Sequence, residues 1–98
     1  KMNESRDNII FVGGKPFMNY VTSVLLQFTK YEFKEVILKS RGKFISKAVD
    51  VAEVSKKKFL KQIKIEVKDV KIDSEDFETK EGKKINVSTI EIILEKKD

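Results

Sequence analysis

The chain has 98 residues, 40% of them hydrophobic and 38% charged, with a formal net charge of +5. It contains no cysteine and no histidine, which excludes disulfides, zinc sites built from Cys or His, and any catalytic arrangement that needs an imidazole. The length suits one domain, no apolar run approaches the roughly 20 residues of a membrane-spanning helix, and no signal-peptide pattern opens the chain.

A soluble cytoplasmic protein is expected, with Met2, after Lys1, as its native start. Residues 1–7 are polar and expected to be disordered, ahead of a single domain over 8–98. Residues 8–12 have the length and β-branching of a short buried strand. Phe17, Val21, Val24, Leu25 and Phe28 then recur at helical spacing and predict a helix over 16–30 with one apolar face. After a turn at 31–34, Val36-Ile37-Leu38 marks a strand over 35–39, and a second helix follows over 44–60. Ile63, Ile65 and Val67 alternate, and Val70 and Ile72 resume the alternation one residue out of step. That pattern predicts a bulge within one strand over 63–72. A segment over 73–84, turning at Glu81-Gly82, leads to a last strand over 87–95, so that 63–95 makes a β-hairpin arm. The order is β-α-β-α-β-β. It predicts an α/β two-layer sandwich, a mixed four-stranded sheet with two helices on one face.

Two strand-to-helix turns carry the strongest chemical signal: Gly13-Gly14-Lys15-Pro16 and Arg41-Gly42-Lys43. Helix N-termini present unpaired N–H groups and the positive end of the dipole, so phosphate is favoured there. Glycine admits close backbone approach, and Pro16 suits a first helical position because its missing N–H would be unpaired anyway. Right-handed crossovers make the first two strands parallel, which brings both turns to one edge of the sheet. Between residues 39 and 64, nine basic side chains stand against Asp50 and Glu53, a local charge of +7 in a chain whose remainder sums to −2. A positive band on a near-neutral body predicts a polyanionic partner with repeated phosphates, nucleic acid.

An enzyme is not expected. The first turn has neither P-loop spacing nor the G-x-G-x-x-G pattern, and the serines have no histidine to activate them. The competing enzymatic reading is phosphoryl transfer with Mg²⁺ held by Asp50 and Glu53, three apart on a helix. As surface acids these two would instead pair with neighbouring lysines, Lys47 with Asp50 and Glu53 with Lys57. No cofactor or metal is expected. On the second helix, Ile45, Ala48, Val49, Ala52, Phe59 and Leu60 make one face for the sheet, while Phe44, Val51 and Val54 lie off it. This spare apolar surface predicts a second subunit. Among the aromatics, Tyr20 and Phe77 are the two that core packing leaves open to another role, and Phe77 falls in the polar segment over 73–84.

Three blocks in order carry a family resemblance over about residues 8–97: Gly-Lys-Pro-Phe-Met-Asn-Tyr-Val at 14–21, Arg-Gly-Lys-Phe-Ile-Ser-Lys-Ala-Val-Asp at 41–50, and Val-Ser-Thr-Ile-Glu-Ile at 87–92. The chain resembles the Alba family of small basic archaeal chromatin proteins. The resemblance implies a fold like the C-terminal domain of translation initiation factor three, and a homodimer that coats or compacts double-stranded DNA, binds RNA, and associates with the chromosome or nucleoid. An RNA-directed role, as a chaperone or an accessory subunit of an RNA-processing complex, is the alternative it leaves open. By motif it implies phosphate contacts from Gly14, Lys15, Arg41, Gly42 and Lys43 with Lys47 behind them, and a contact between dimers through Phe59. The family's first turn usually carries two lysines, the earlier a target of reversible acetylation. Here that position is Gly14, so Lys15 is the acceptor that remains for an acetyltransferase and deacetylase. The family's hairpin arms reach toward the minor groove. Over 73–84 of this arm Asp73, Glu75, Asp76, Glu78 and Glu81 outnumber Lys80, Lys83 and Lys84, and Lys83 and Lys84 are the residues suited to phosphate.

Overall fold

The structure, a computed structural model, describes residues 7–59 and 61–97. Four strands and two helices follow one another as β1 (Ile9–Phe11), α1 (Phe17–Thr29), β2 (Glu35–Arg41), α2 (Ile45–Lys58), β3 (Lys64–Glu78) and β4 (Lys84–Lys97), with a short 3₁₀ turn at Gly42–Phe44 leading into α2. The expected β-α-β-α-β-β order therefore holds. The sheet order is β1-β2-β4-β3, with β1 and β2 parallel and the other pairs antiparallel. The ladder of β1 reaches one residue past each end: Asn8 O accepts from Ile37 N at 2.8 Å and Val12 N donates to Lys39 O at 2.8 Å.

The core lies between the helices and one face of the sheet. Alternation in β2 sends Val36, Leu38 and Ser40 inward, where α1 meets them with Val21, Val24 and Phe28, and β4 adds Ile92 and Leu94. The expected face of α1 is the observed one, with Phe17 and Leu25 flanking it partly buried. Pro16 stands one place earlier than expected, as the N-cap. Its ψ of 143° is still extended, so the helix begins at Phe17.

The face of α2 differs from the expected one. Ala48, Val51, Ala52 and Ser55 are its buried residues, and Phe59 joins the core just beyond its end, while Val49 is exposed. The inward face is thus rotated by roughly 60° from the apolar letters, at 3.6 residues per turn. Val51, expected on a spare outer surface, is wholly buried, and Val54 packs against the core. Leu60, expected on the inward face, lies outside the described residues, as do residues 1–6 of the expected disordered terminus.

β3 and β4 run longer than the apolar alternation indicates. The expected bulge is present, as a register shift between Val67 and Asp69. The segment expected to connect the strands is mostly strand, and the loop proper is only 79–83. Its tip is closed by Thr79 N donating to Lys83 O at 2.7 Å and Gly82 N donating to Thr79 O at 2.9 Å. Gly82 there has a φ of 83°, a left-handed conformation that glycine adopts without a Cβ penalty. The arm extends past the helices, leaving Ile72 80% exposed. At the bulge, Lys68 Nζ donates to a Glu35 carboxylate oxygen and lies 3.9 Å from Glu95, tying β3 to β2 and β4. The hydrogen bond and charge of Glu35 raise the Lys68 pKa above its ordinary value.

Candidate nucleic-acid interface

Because β1 and β2 are parallel, the chain leaves both at the same edge. Gly13–Pro16 and Gly42–Phe44 are neighbours there, as the topology predicts. Two side chains fasten one turn to the other, and a third closes the first turn onto α1. Ser40 Oγ donates to Val12 O at 2.9 Å beneath them. Lys47, from the first turn of α2, donates its Nζ to Gly13 O at 2.7 Å and to Lys15 O at 2.6 Å. Tyr20, from α1, accepts on its hydroxyl from Gly13 N and Lys15 N, both at 3.0 Å. The Lys47 ammonium also lies 5.1 Å from the Tyr20 ring centroid and 5.8 Å from that of Phe44, within cation–π range.

This arrangement changes two expectations about the first turn. The Gly13 and Lys15 amides are bound by Tyr20 and are not open anion receptors. Lys47 does not pair with Asp50; it locks the turn through backbone carbonyls, half-buried behind the surface it braces. What the first turn presents outward is Gly14 and the Lys15 side chain, both exposed. A Cβ at Gly14 would meet nothing within 4 Å, so no packing demands glycine there. Gly42 is different. Its φ is +58°, so the backbone conformation favours glycine, while a Cβ would make only an ordinary contact, 3.4 Å from Val87 Cγ1.

We expect Tyr20→Phe to test the lock directly. It removes the one oxygen that satisfies two amides, and water at a half-open turn recovers part of the loss. The expected cost is about 1 kcal/mol of stability, together with faster hydrogen exchange at Gly13 and Lys15. Unchanged exchange at these two amides would mean that the hydroxyl does not hold the turn.

The cations are not equivalent. Lys15 and Lys43 make no ion pair with a described residue, although Lys43 Nζ lies 5.3 Å from the Phe44 ring centroid. Arg41 is exposed but engaged: its Nη1 is 3.4 Å from Glu75 Oε1 and its guanidinium lies 4.9 Å from the Phe77 ring centroid. Phe77, expected in a polar loop, is thus a β3 residue under Arg41. Elsewhere in the basic band, Lys39 pairs with Glu91 at 3.5 Å and Lys56 with Glu53 at 3.1 Å, the latter in place of the expected Glu53–Lys57 pair. Beside Arg41 an open groove of about 850 Å³ is lined by residues that include Phe11, Lys39, Phe44, Ile72 and Glu75.

Lys83 and Lys84 do not join the turns. Arg41 is in register with Thr89, and Lys84 lies five residues further along β4, roughly 17 Å at the rise of a strand. Phe59, the expected contact between dimers, is 6% exposed and belongs to the core of its own protomer. Its ring has little surface left to offer a neighbour. Among the described residues no three acidic side chains gather as metal ligands would, Asp50 and Glu53 included.

The arrangement defines a class: a small two-layer α/β domain with two basic turns braced together at one sheet edge beside a long antiparallel arm. The Alba family model matches residues 8–74, and the chain belongs to that family. It is 50% identical over 88 residues to the DNA/RNA-binding protein Alba of Methanococcus maripaludis, an alignment covering 90% of this chain and 97% of that protein. Against the DNA/RNA-binding protein Alba 1 of Archaeoglobus fulgidus the identity is 52% over 91 residues, covering 93% of this chain and 98% of the other. Among solved structures, Alba from Thermoplasma volcanium superposes with a TM-score of 0.79 at 46% identity, covering 90% of this chain and 99% of that one.

Proposed function

We propose that the protein binds DNA and RNA through backbone phosphates, with little reading of base sequence, and coats DNA as a homodimer. The observation that carries this is the bracing of Gly13 and Lys15 by Lys47, which holds two phosphate-facing turns in one fixed relation. Lys15, Arg41 and Lys43 are the contacting side chains, Lys47 positions them, and Lys83 and Lys84 offer a separate contact at the end of the arm. The relatives named as DNA/RNA-binding proteins support the ligand class. The homodimer is supported by apolar surface that one protomer leaves open, chiefly Ile72 at 80% and Phe11 at 72% exposure. Sedimentation should therefore give about twice the 11.4 kDa of one chain. Acetylation of Lys15 would remove the first turn's exposed side-chain cation and weaken binding. No helix among the described residues is long and apolar enough to cross a membrane.

Titration of random-sequence duplexes over a salt series tests the reading. Each phosphate neutralised contributes about 0.9 to the log–log slope. With about four to six contacts per dimer, affinity should fall on the order of a hundredfold or more over a fourfold rise in salt. A flat response, or a sharp preference for one sequence, would overturn it. Competition between matched DNA and RNA duplexes separates a chromosomal role from an RNA-directed one.

A further inference from the structure

Of the cations on the two turns, Arg41 alone is ion-paired among the described residues. Both of its partners come from the arm. Glu75 and Phe77 are two apart on β3, so they share one face of that strand. The register sets Asp73 opposite Thr89, the β4 residue paired with Arg41, yet the guanidinium reaches along the arm to Glu75.

A carboxylate and a phosphate offer a guanidinium the same thing, oxygens that accept its N–H groups. Both side chains of the pair are exposed, and exposed pairs of this kind are weak enough to exchange. We propose that Glu75 is an internal surrogate for phosphate at Arg41 and a determinant of this protein's affinity for nucleic acid. Phosphate binds Arg41 by displacing the Glu75 carboxylate, while the Phe77 ring keeps the guanidinium in place during the exchange. The displaced carboxylate stays near the interface as a local negative charge. This inference rests on the phosphate-binding reading above and goes beyond it, because it assigns an acid of the arm a role opposed to binding.

The test is a cycle of affinities for a short random-sequence DNA duplex at one salt concentration, measured for the native protein, Glu75→Gln, Arg41→Ala and the double variant. Glu78→Gln serves as the control, since it makes the same charge change on the same strand away from Arg41. Glu75→Gln should tighten binding about two- to fivefold, the scale of an exposed ion pair. Glu78→Gln should give clearly less, and with Arg41 already removed Glu75→Gln should have little effect. A gain that persists undiminished in the Arg41→Ala background, a gain matched by Glu78→Gln, or no gain at all would overturn the role of Glu75. Arg41→Ala by itself reports on the underlying reading. If it leaves affinity unchanged, the interface is elsewhere and both proposals fall; if it weakens binding while the cycle is additive, only the surrogate fails.

Discussion

Phe59→Ala is expected to lower the midpoint of thermal unfolding by at least about 10 °C. The ring is 6% exposed and joins the core cluster that also holds Ala52 and Ile65. It sits where α2 ends: its N–H donates to Ser55 O at 3.3 Å, and its carbonyl accepts from Gln62 N and Ile63 N at 2.9 and 2.8 Å. Truncating a buried phenylalanine costs about 3–5 kcal/mol through lost apolar contact and the cavity left behind. Domains of this size lose about 4–8 °C per kcal/mol and have only about 5–15 kcal/mol in total. Phe59→Leu, which keeps most of the apolar volume, should recover much of the loss. A near-native melt for Phe59→Ala, with loss only of cooperative coating on long DNA, would instead return the ring to the contact between dimers.

The misplacement of the α2 face, at Val49 and Val51, has one physical origin. A helix face read from apolar letters alone assumes that every buried position is apolar. Ser55 is wholly buried, and Val49 is largely exposed. Counting Ser55 inward and Val49 outward aligns 48, 51, 52, 55 and 59 on one stripe, but the letters cannot say so. α1 was legible because Val21, Val24 and Phe28 do bury, with Tyr20 and Gln27 joining the same face without turning it. The β1 and β2 strands, the bulge and the adjacency of the turns were legible for a similar reason, since burial on at least one face imposes a period and crossover handedness fixes the topology. The outer half of the arm was not. From Asp73 to Asn86 both faces meet solvent over most of the length, so no alternation is imposed, and strand is specified by cross-strand pairing alone. The lock of Tyr20 and Lys47 had a partial signal. An aromatic and a lysine recur at the starts of the two helices, but nothing in the spacing tells a brace from a phosphate contact.

The largest effect on binding is expected when Lys15, Arg41 and Lys43 are replaced together by glutamine. All three are exposed, so the melting temperature should scarcely move. Across a dimer six charges go, and the log–log salt slope should fall by up to about five units. Each charge-assisted hydrogen bond at an open site contributes about 1 kcal/mol, so affinity at moderate salt should drop at least about a thousandfold. Lys47 cannot take over, since its ammonium already serves the Gly13 and Lys15 carbonyls and moving it would release the turn. What binding remains should come from Lys83 and Lys84, with a shallow slope that Lys83→Gln and Lys84→Gln abolish. Should the triple variant keep the native slope, the duplex does not lie against the braced turns. The lysines at 56–58, in the last turn of α2, would then be the contact surface to examine.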